Sequence, residues 1–358
     1  MAAIEHDEQL LSALIADRKR DVSGLCGNTH WLPYAQRIES EIRGANLANF
    51  RTNYRLIKGF AIGGVPMPTE PRRHWKRAIW RRLEILPVVE QVIGEHRRLT
   101  AALYRETVKW RVELAELCFD AIQSEFPSMR IINGTANGGA DDTFTRDGIT
   151  MSAQWINYLA RAADFYRQVP TSSVRSLIEI GPGVGLNTLA HLALNPHLTA
   201  IINCDLPAVL YLSTQFLRSV DHATVIDYLA CVDRDKLDWR DGADSDGRCT
   251  IFQIPPWKLS SLSGSVDYFF NSFSFQEMEP ALVDCYLDIV APRIAGGVYV
   301  HAYDSTEMAS AKVMKSLNTL SFVTQRLSSH GLRKLPFLAH YWPRYWRGDP
   351  AMCLLMQR

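Results

Sequence analysis

The densest chemical signal in this chain is Ser176–Gly185, S-L-I-E-I-G-P-G-V-G. An apolar strand carries an acid, Glu179, near its end and then turns through Gly181, Gly183 and Gly185 into a helix predicted over Leu186–Leu194. Amide N–H groups at a helix mouth lack intrahelical partners and carry partial positive charge, so such a turn favours a carboxylate or phosphate. Glycine lets that ligand approach, where a Cβ would hold it away. A second predicted strand, Thr199–Asp205, ends on Asp205, close to the ~20-residue offset at which an acid grips a ribose diol in open α/β sheets. A nucleoside-containing cofactor is therefore expected.

The spacing narrows the cofactor. A dinucleotide turn reads G-x-G-x-x-G, whereas this one reads G-x-G-x-G behind an acid. Glu179 repels a pyrophosphate but suits an ammonium group, and the helix mouth suits a carboxylate. S-adenosylmethionine carries both groups and a ribose. The competing reading is a purely structural glycine turn in some other α/β protein.

Positioning these residues requires a sheet. After a helix predicted over Met151–Gln168, strands at Ser176–Ile180, Ala200–Asp205, Cys249–Ile254, Val266–Asn271 and Gly297–Ala302 alternate with helices at Leu186–Leu194, Pro207–Val220 and Pro280–Ile294. That alternation implies right-handed crossovers and a Rossmann-like α/β fold, mostly parallel and covered on both faces. The acid-rich stretch Asp221–Arg248 reads as a helix and a polar loop, and Thr306–His330 reads as helical. Phe337–Tyr341 and Met352–Gln357 read as two last strands, the final pair antiparallel at the edge.

Residues 1–148 have helical periodicity and are predicted to form an α-helical domain, a substrate cover or a dimerisation unit, ahead of a cofactor-binding domain over 149–358. Its best helix runs from about Leu86 to Phe126 and stops at Pro127; Gly59–Pro71 is a loop, and Asn133–Asp142 reads as a flexible linker.

In open α/β sheets the ligand lies beyond the carboxyl ends of the strands, at the switch point. That rule selects Glu179–Gly185, Asp205 and Leu206, Gln253–Pro256, Asn271–Glu277 and His301–Asp304. A neutral imidazole at His301 could accept a proton from an acceptor hydroxyl, or could simply cap its strand. Glu277 could be a base, an orienter of His301, a cation ligand or a helix cap. With Asp304 it offers two carboxylates, enough for a divalent cation only with a third oxygen donor, so metal is not expected.

The stretch Thr150–Ser305 resembles a family of sugar O-methyltransferases that use S-adenosylmethionine. The resemblance rests on I-T-M-S-A-Q-W-I-N-Y-L-A-R-A-A-D-F-Y (149–166), I-E-I-G-P-G-V-G, N-C-D-L-P (203–207), V-D-Y-F-F-N-S-F-S-F-Q-E-M (266–278) and G-G-V-Y-V-H-A-Y-D (296–304). It implies methyl transfer to a sugar hydroxyl or glycosylated metabolite. By the same resemblance, Glu179, Gly181, Gly183 and Gly185 hold the donor's amino-acid end, and Asp205 takes its ribose. Leu206 with Gln253 or Ile254 flanks adenine, and Asn271, with Ser272, sits beneath the sulfonium. His301, Glu277 and Asp304 are the catalytic candidates. A phenol or polyketide O-methyltransferase is the alternative.

Composition bounds the rest. The 358 residues, 47% hydrophobic and 22% charged, can bury a sizeable core. A formal net charge of +1 gives no global field to recruit nucleic acid or an anionic membrane. The seven cysteines are scattered without a C-x-x-C, which suggests neither a zinc site nor a disulfide framework and fits a reducing, cytoplasmic setting. No apolar run reaches the ~18 residues of a membrane span. Glu70–Arg82 packs six basic residues and two tryptophans, inviting a nucleic-acid reading. A solvated helix face with buried Trp75 and Trp80 explains it more simply. The reading from another class is a non-catalytic module binding nucleic acid or a partner through this segment. His340–Trp346 is aromatic-rich beyond the sheet, and its rings could stack on sugars or merely pack.

Overall fold

The computed structural model describes residues 4–26, 32–52, 56, 97–221, 223–242, 248–303, 320–341 and 351–358. Gly59–Pro71, Glu70–Arg82, the start of the long helix near Leu86, Asp304 and most of His340–Trp346 lie outside them. Before the sheet come α1 (Glu8–Arg18), α2 (Leu32–Ile42), α3 (Arg97–Glu125) and a hairpin of β1 (Thr143–Arg146) and β2 (Ile149–Ser152). The helix α4 (Ala153–Tyr166) then leads into alternating β and α elements: β3 (Ser176–Ile180), α5 (Leu186–Leu194), β4 (Ala200–Cys204), α6 (Pro207–Arg218) and β5 (Ala223–Ile226). The remainder is β6 (Leu237–Asp238), β7 (Cys249–Ile254), β8 (Leu262–Ser263), β9 (Val266–Ser272), α7 (Pro280–Val290), β10 (Ile294–Tyr303), α8 (Leu320–Ser329), β11 (Arg333–Leu335) and β12 (Ala351–Gln357).

The main sheet has the order β11-β12-β10-β9-β3-β4-β7-β5, parallel except for β12, which runs antiparallel to β10 and β11. Taken in chain order, the central parallel strands β3, β4, β7, β9 and β10 lie in space as third, second, first, fourth, fifth. Strand order therefore reverses between β3 and β9, and the ligand crevice of such a sheet opens there. Every residue of β3, β4 and β7 is buried, as parallel strands covered on both faces require. Leu177, Ile201, Ile251, Phe270 and Tyr299 face one core with α1 to α6, while Ile178, Ile202, Phe252, Phe269 and Val298 face the other with α7 and α8.

Four local expectations are corrected. Asn133–Asp142 is not a flexible linker: Asn137 Nδ2 donates to Ser219 O and Oγ at 2.9 and 3.0 Å, and Arg51 Nη1 donates to Thr135 O at 2.6 Å. The hairpin β1–β2 interrupts the helical N-terminal half; Asp147 and Gly148, at φ +50° and +77°, make the left-handed turn that Asp-Gly favours. Asp221–Arg248 forms no α-helix among its described residues, only a short 3-10 helix at Trp239–Gly242; Thr224, Val225 and Ile226 are β-branched and make the parallel edge strand β5 beside β7. The strand predicted at Phe337–Tyr341 lies instead at Arg333–Leu335. Pro336 cannot donate to a ladder, and the amides of His340 and Tyr341 donate to Asp164 Oδ1 at 2.7 Å each.

Candidate active site

The switch-point turn is built from three left-handed glycines, Gly181, Gly183 and Gly185, at φ +74°, +60° and +90°. At Gly181 a Cβ would come within 2.4 Å of Ser274 Cβ, so the β3 turn and the tip of β9 close on each other only because glycine stands there. Gly185 is the N-cap of α5 and provides no side-chain cap for the first-turn amides of that helix. The expectation that the amides at this helix mouth are unpaired is corrected for the turn glycines. Gly181 N–H donates to Cys204 O at 2.8 Å, Gly183 N–H to Asp205 Oδ2 at 2.9 Å, and Gly185 N–H to Pro182 O at 3.1 Å.

Two acids flank the turn. Glu179 is 3% exposed and accepts from Asn187 Nδ2 of α5 at 2.9 Å. Asp205 follows β4 and accepts from Gly183 N–H and, at 2.7 Å, from Leu206 N–H, so each carboxylate oxygen keeps one acceptor direction. Burial pushes the Glu179 carboxyl up to about 8, with Asp205 adding to the rise and Arg161 and the Asn187 bond opposing it. Burial pushes Asp205 up to about 7 against its two backbone bonds. These are carboxylates whose charge the fold leaves largely uncompensated.

Across the crevice, the tip of β9 is tightly tied. Asn271 is fully buried; its Nδ2 donates to Ile180 O and Ser274 Oγ at 3.0 and 2.6 Å, and its Oδ1 accepts from Phe275 N–H at 3.3 Å. Its polar atoms thus bind β9 to β3. Phe273 sits at φ +68°, a conformation that bulky residues rarely adopt and that is found where surrounding structure enforces it. Its ring lies 4.6 Å from that of His301, and Phe273 N–H donates to His301 O at 2.7 Å. His301 aligns with Ser272 in the β9–β10 register and is wholly buried. Burial, then Arg161, holds its imidazole well below the usual histidine range, so the ring is neutral. Glu277 is buried in the short turn Phe275–Glu277. Asp304 lies outside the described residues. Gln253 shares the Glu179 face through Asn203, the register running Glu179 to Asn203 to Gln253, whereas Ile254 packs in the opposite core. The Gln253 amide is buried, and neither its nitrogen nor its oxygen has a hydrogen-bond partner among the described residues.

Sequence reasoning missed Arg161 and Tyr158, which α4 brings over the crevice three residues apart. Arg161 Nη1 donates to Ser272 Oγ at 2.8 Å, and the guanidinium lies 4.8 Å from the Tyr158 ring and 4.7 Å from that of Phe273. The Tyr158 phenol is held above its usual range by burial, with Arg161, Glu179, Arg51 and Glu277 all close enough to act on it. An arginine within the apolar run L-A-R-A-A was the available signal, since such a residue is seldom buried without a purpose. Cys26 lies near Asp205 and is pushed up to about 12 by burial and by Asp21, so the N-terminal segment reaches the Asp205 side of the crevice. Among the described residues no group of three or more His, Cys, Asp or Glu could hold a metal ion, and no helix is long and apolar enough to cross a membrane.

No protein-family model matches the chain, and no curated protein does. Solved structures do. Magnesium protoporphyrin IX methyltransferase from Synechocystis PCC 6803, with bound S-adenosylhomocysteine, is 9% identical at a TM-score of 0.37, over 57% of this chain and 84% of that one. Mitomycin 7-O-methyltransferase is 16% identical at 0.39, over 58% of this chain and 54% of its own. A pyocyanin biosynthetic protein is 15% identical at 0.39, over 57% and 56%. The chain spans most of the first and about half of the other two. At such identities the likeness concerns fold alone and says nothing of a sugar substrate. Strand order, the antiparallel β12 and the glycine turn at the switch point make the fold a Rossmann-like methyltransferase sheet.

Proposed function

We propose that the chain is an S-adenosylmethionine-dependent O-methyltransferase that methylates a hydroxyl of a small molecule. The observation that carries this reading is a pair of raised carboxylates, the buried Glu179 and the half-buried Asp205, on either side of a left-handed glycine turn at the switch point. Glu179 attracts an ammonium group, and the open acceptor directions of Asp205 receive ribose hydroxyls. The orphaned Gln253 amide and Leu206 flank the base, and Gly181, Gly183 and Gly185 leave room for the donor's chain. The donor, when bound, supplies an electrophilic methyl on a sulfonium. The protein aligns the acceptor oxygen with it and takes the proton.

His301 is the proton acceptor in this reading, with Glu277 and Asp304 as further catalytic candidates. A neutral imidazole beside Arg161 is a weak base, and this favours an acceptor whose hydroxyl is already acidic, a phenol or enol, over the sugar hydroxyl that the sequence resemblance implies. A glycosylated metabolite stays within reach only with stronger assistance from Glu277 or Asp304. The alternative of a non-catalytic binding module rests on Glu70–Arg82, outside the described residues.

Isothermal calorimetry with S-adenosylhomocysteine tests the donor site. Tight binding by the native chain, weakened about 10-fold or more in Asp205→Asn and Glu179→Gln, is expected from loss of a charge-assisted bond; no binding by the native chain refutes the reading. With labelled donor and a panel of phenolic, enolic and sugar acceptors, His301→Ala should lower turnover by ~10²-fold while leaving donor affinity near that of the native chain. Unchanged turnover removes His301 from the role.

A further inference from the structure

Resting on the donor site proposed above, we propose that Arg161 receives the carboxylate of the donor's amino-acid end. The glycine-turn amides were the first candidates for that role, but those of Gly181, Gly183 and Gly185 are spent on Cys204 O, Asp205 and Pro182 O. The first-turn amides of α5 remain, without a cation among them. Arg161 supplies the cation in the right place. Ser272, which it grips at 2.8 Å, lies two residues beyond Phe270 on the same strand, and Phe270 is level with Glu179 in the β3–β9 register. Alternate residues of a strand share a face, so Phe270, Ser272 and Glu179 all point toward α4. The guanidinium therefore overhangs the switch-point crevice on the Glu179 side.

The arrangement complements an α-amino acid, with an acid for the ammonium group and a planar fork for the carboxylate. A guanidinium presents its donors in a planar fork matched to carboxylate geometry. The fork is also held still. Arg161 is 3% exposed and clamped between the Tyr158 and Phe273 rings, and the Phe273 ring reaches it from a left-handed backbone. Immobilising the receptor beforehand spares the ordering cost at binding. Neither Glu179 nor Arg161 alone distinguishes an amino acid from a simple amine or acid; together they do.

The experiment compares two ligands by calorimetry, S-adenosylhomocysteine and 5′-methylthioadenosine, which keeps the nucleoside and lacks the amino-acid end. For Arg161→Met, a loss of about 100-fold toward S-adenosylhomocysteine and of less than about 3-fold toward 5′-methylthioadenosine is expected, because only the first ligand carries the carboxylate that the guanidinium would hold. Arg161→Lys, which keeps the charge without the fork, should fall between and serves if the methionine variant does not fold. A parallel loss toward both ligands means that Arg161 only props the tip of β9, and unchanged S-adenosylhomocysteine affinity means that it does not touch the carboxylate; either overturns the assignment. A native chain that binds neither ligand overturns the donor site itself, a distinct result read before any variant is made.

Discussion

Glu179 and Asp205 give the residue scale a pH signature with a definite sign. Their carboxyls, ordinarily near 4.5 and 3.8, are pushed up to about 8 and about 7, so the folded chain retains protons that the unfolded chain has released. This contribution to stability is complete below the ordinary carboxylate range and is lost as pH climbs through about 7 and then about 8. Without ligand, Tm should fall from about pH 5 to about pH 8, and Glu179→Gln should flatten the fall. A cationic ligand wants the ionised form. Affinity for the donor should therefore rise over the same window, and binding near pH 6.5 should release protons, measurable as a dependence of calorimetric heat on buffer ionisation enthalpy. Proton uptake would contradict the pairing of these acids with an ammonium group. Both acids were legible in the sequence because each ends a strand and one precedes a glycine turn. Arg161 and Tyr158 were not, because their relation to the crevice depends on how α4 lies across the sheet, and helical periodicity does not report that. Asn271 was legible as a strand-end residue, yet its amide is committed to Ile180, Ser274 and Phe275.

At the scale of elements, the junction of β3 with β9 depends on one absent methyl group. Gly181→Ala would add a left-handed penalty of roughly 1–2 kcal/mol to a collision with Ser274 Cβ at 2.4 Å. Ser274 is not free to withdraw, since its Oγ donates to Ile180 O at 2.7 Å. Thermal unfolding of Gly181→Ala should show a clear drop in Tm with weakened donor binding. Adding Ser274→Gly should recover part of the stability, because the steric component disappears while the backbone strain stays. A Gly181→Ala chain as stable as the native one would mean that β3 and β9 do not meet as described. The alternation of strands and helices from α4 onward was readable because the buried parallel strands β3, β4 and β9 are short apolar runs, each followed by a helix. What escaped was decided by polar partners rather than periodicity. Asp164 captures the amides of His340 and Tyr341, and Asp-Gly turns the hairpin β1–β2. The pairing of β5 outside β7 was likewise hidden, because an edge strand of four residues carries too little pattern to outweigh the acids around it.

The whole molecule joins its N-terminal helices to the sheet through shared cores. Leu10, Leu11 and Leu14 of α1 are 0% exposed in the core that also holds α6 and β3, and Ala115, Phe119 and Ile122 of α3 join it beside α4. The chain then rounds the carboxyl edge of the sheet. Leu25 lies in the opposite core, its carbonyl accepting from Tyr286 Oη of α7 at 3.0 Å, while Cys26 stands near Asp205. Each fully buried leucine is worth ~1.5–3 kcal/mol, so removing the four leucines named here would forfeit a sum of the same order as the ~5–15 kcal/mol stability of an ordinary domain. The sheet is therefore expected not to stand alone. A chain beginning at residue 149 should lack a cooperative melting transition in calorimetry and should not bind S-adenosylhomocysteine, and the milder Leu14→Ala should lower stability by ~2–5 kcal/mol in urea titration. Cooperative melting and native donor affinity in the shortened chain would instead make the first 148 residues a separate domain, as helical periodicity suggested.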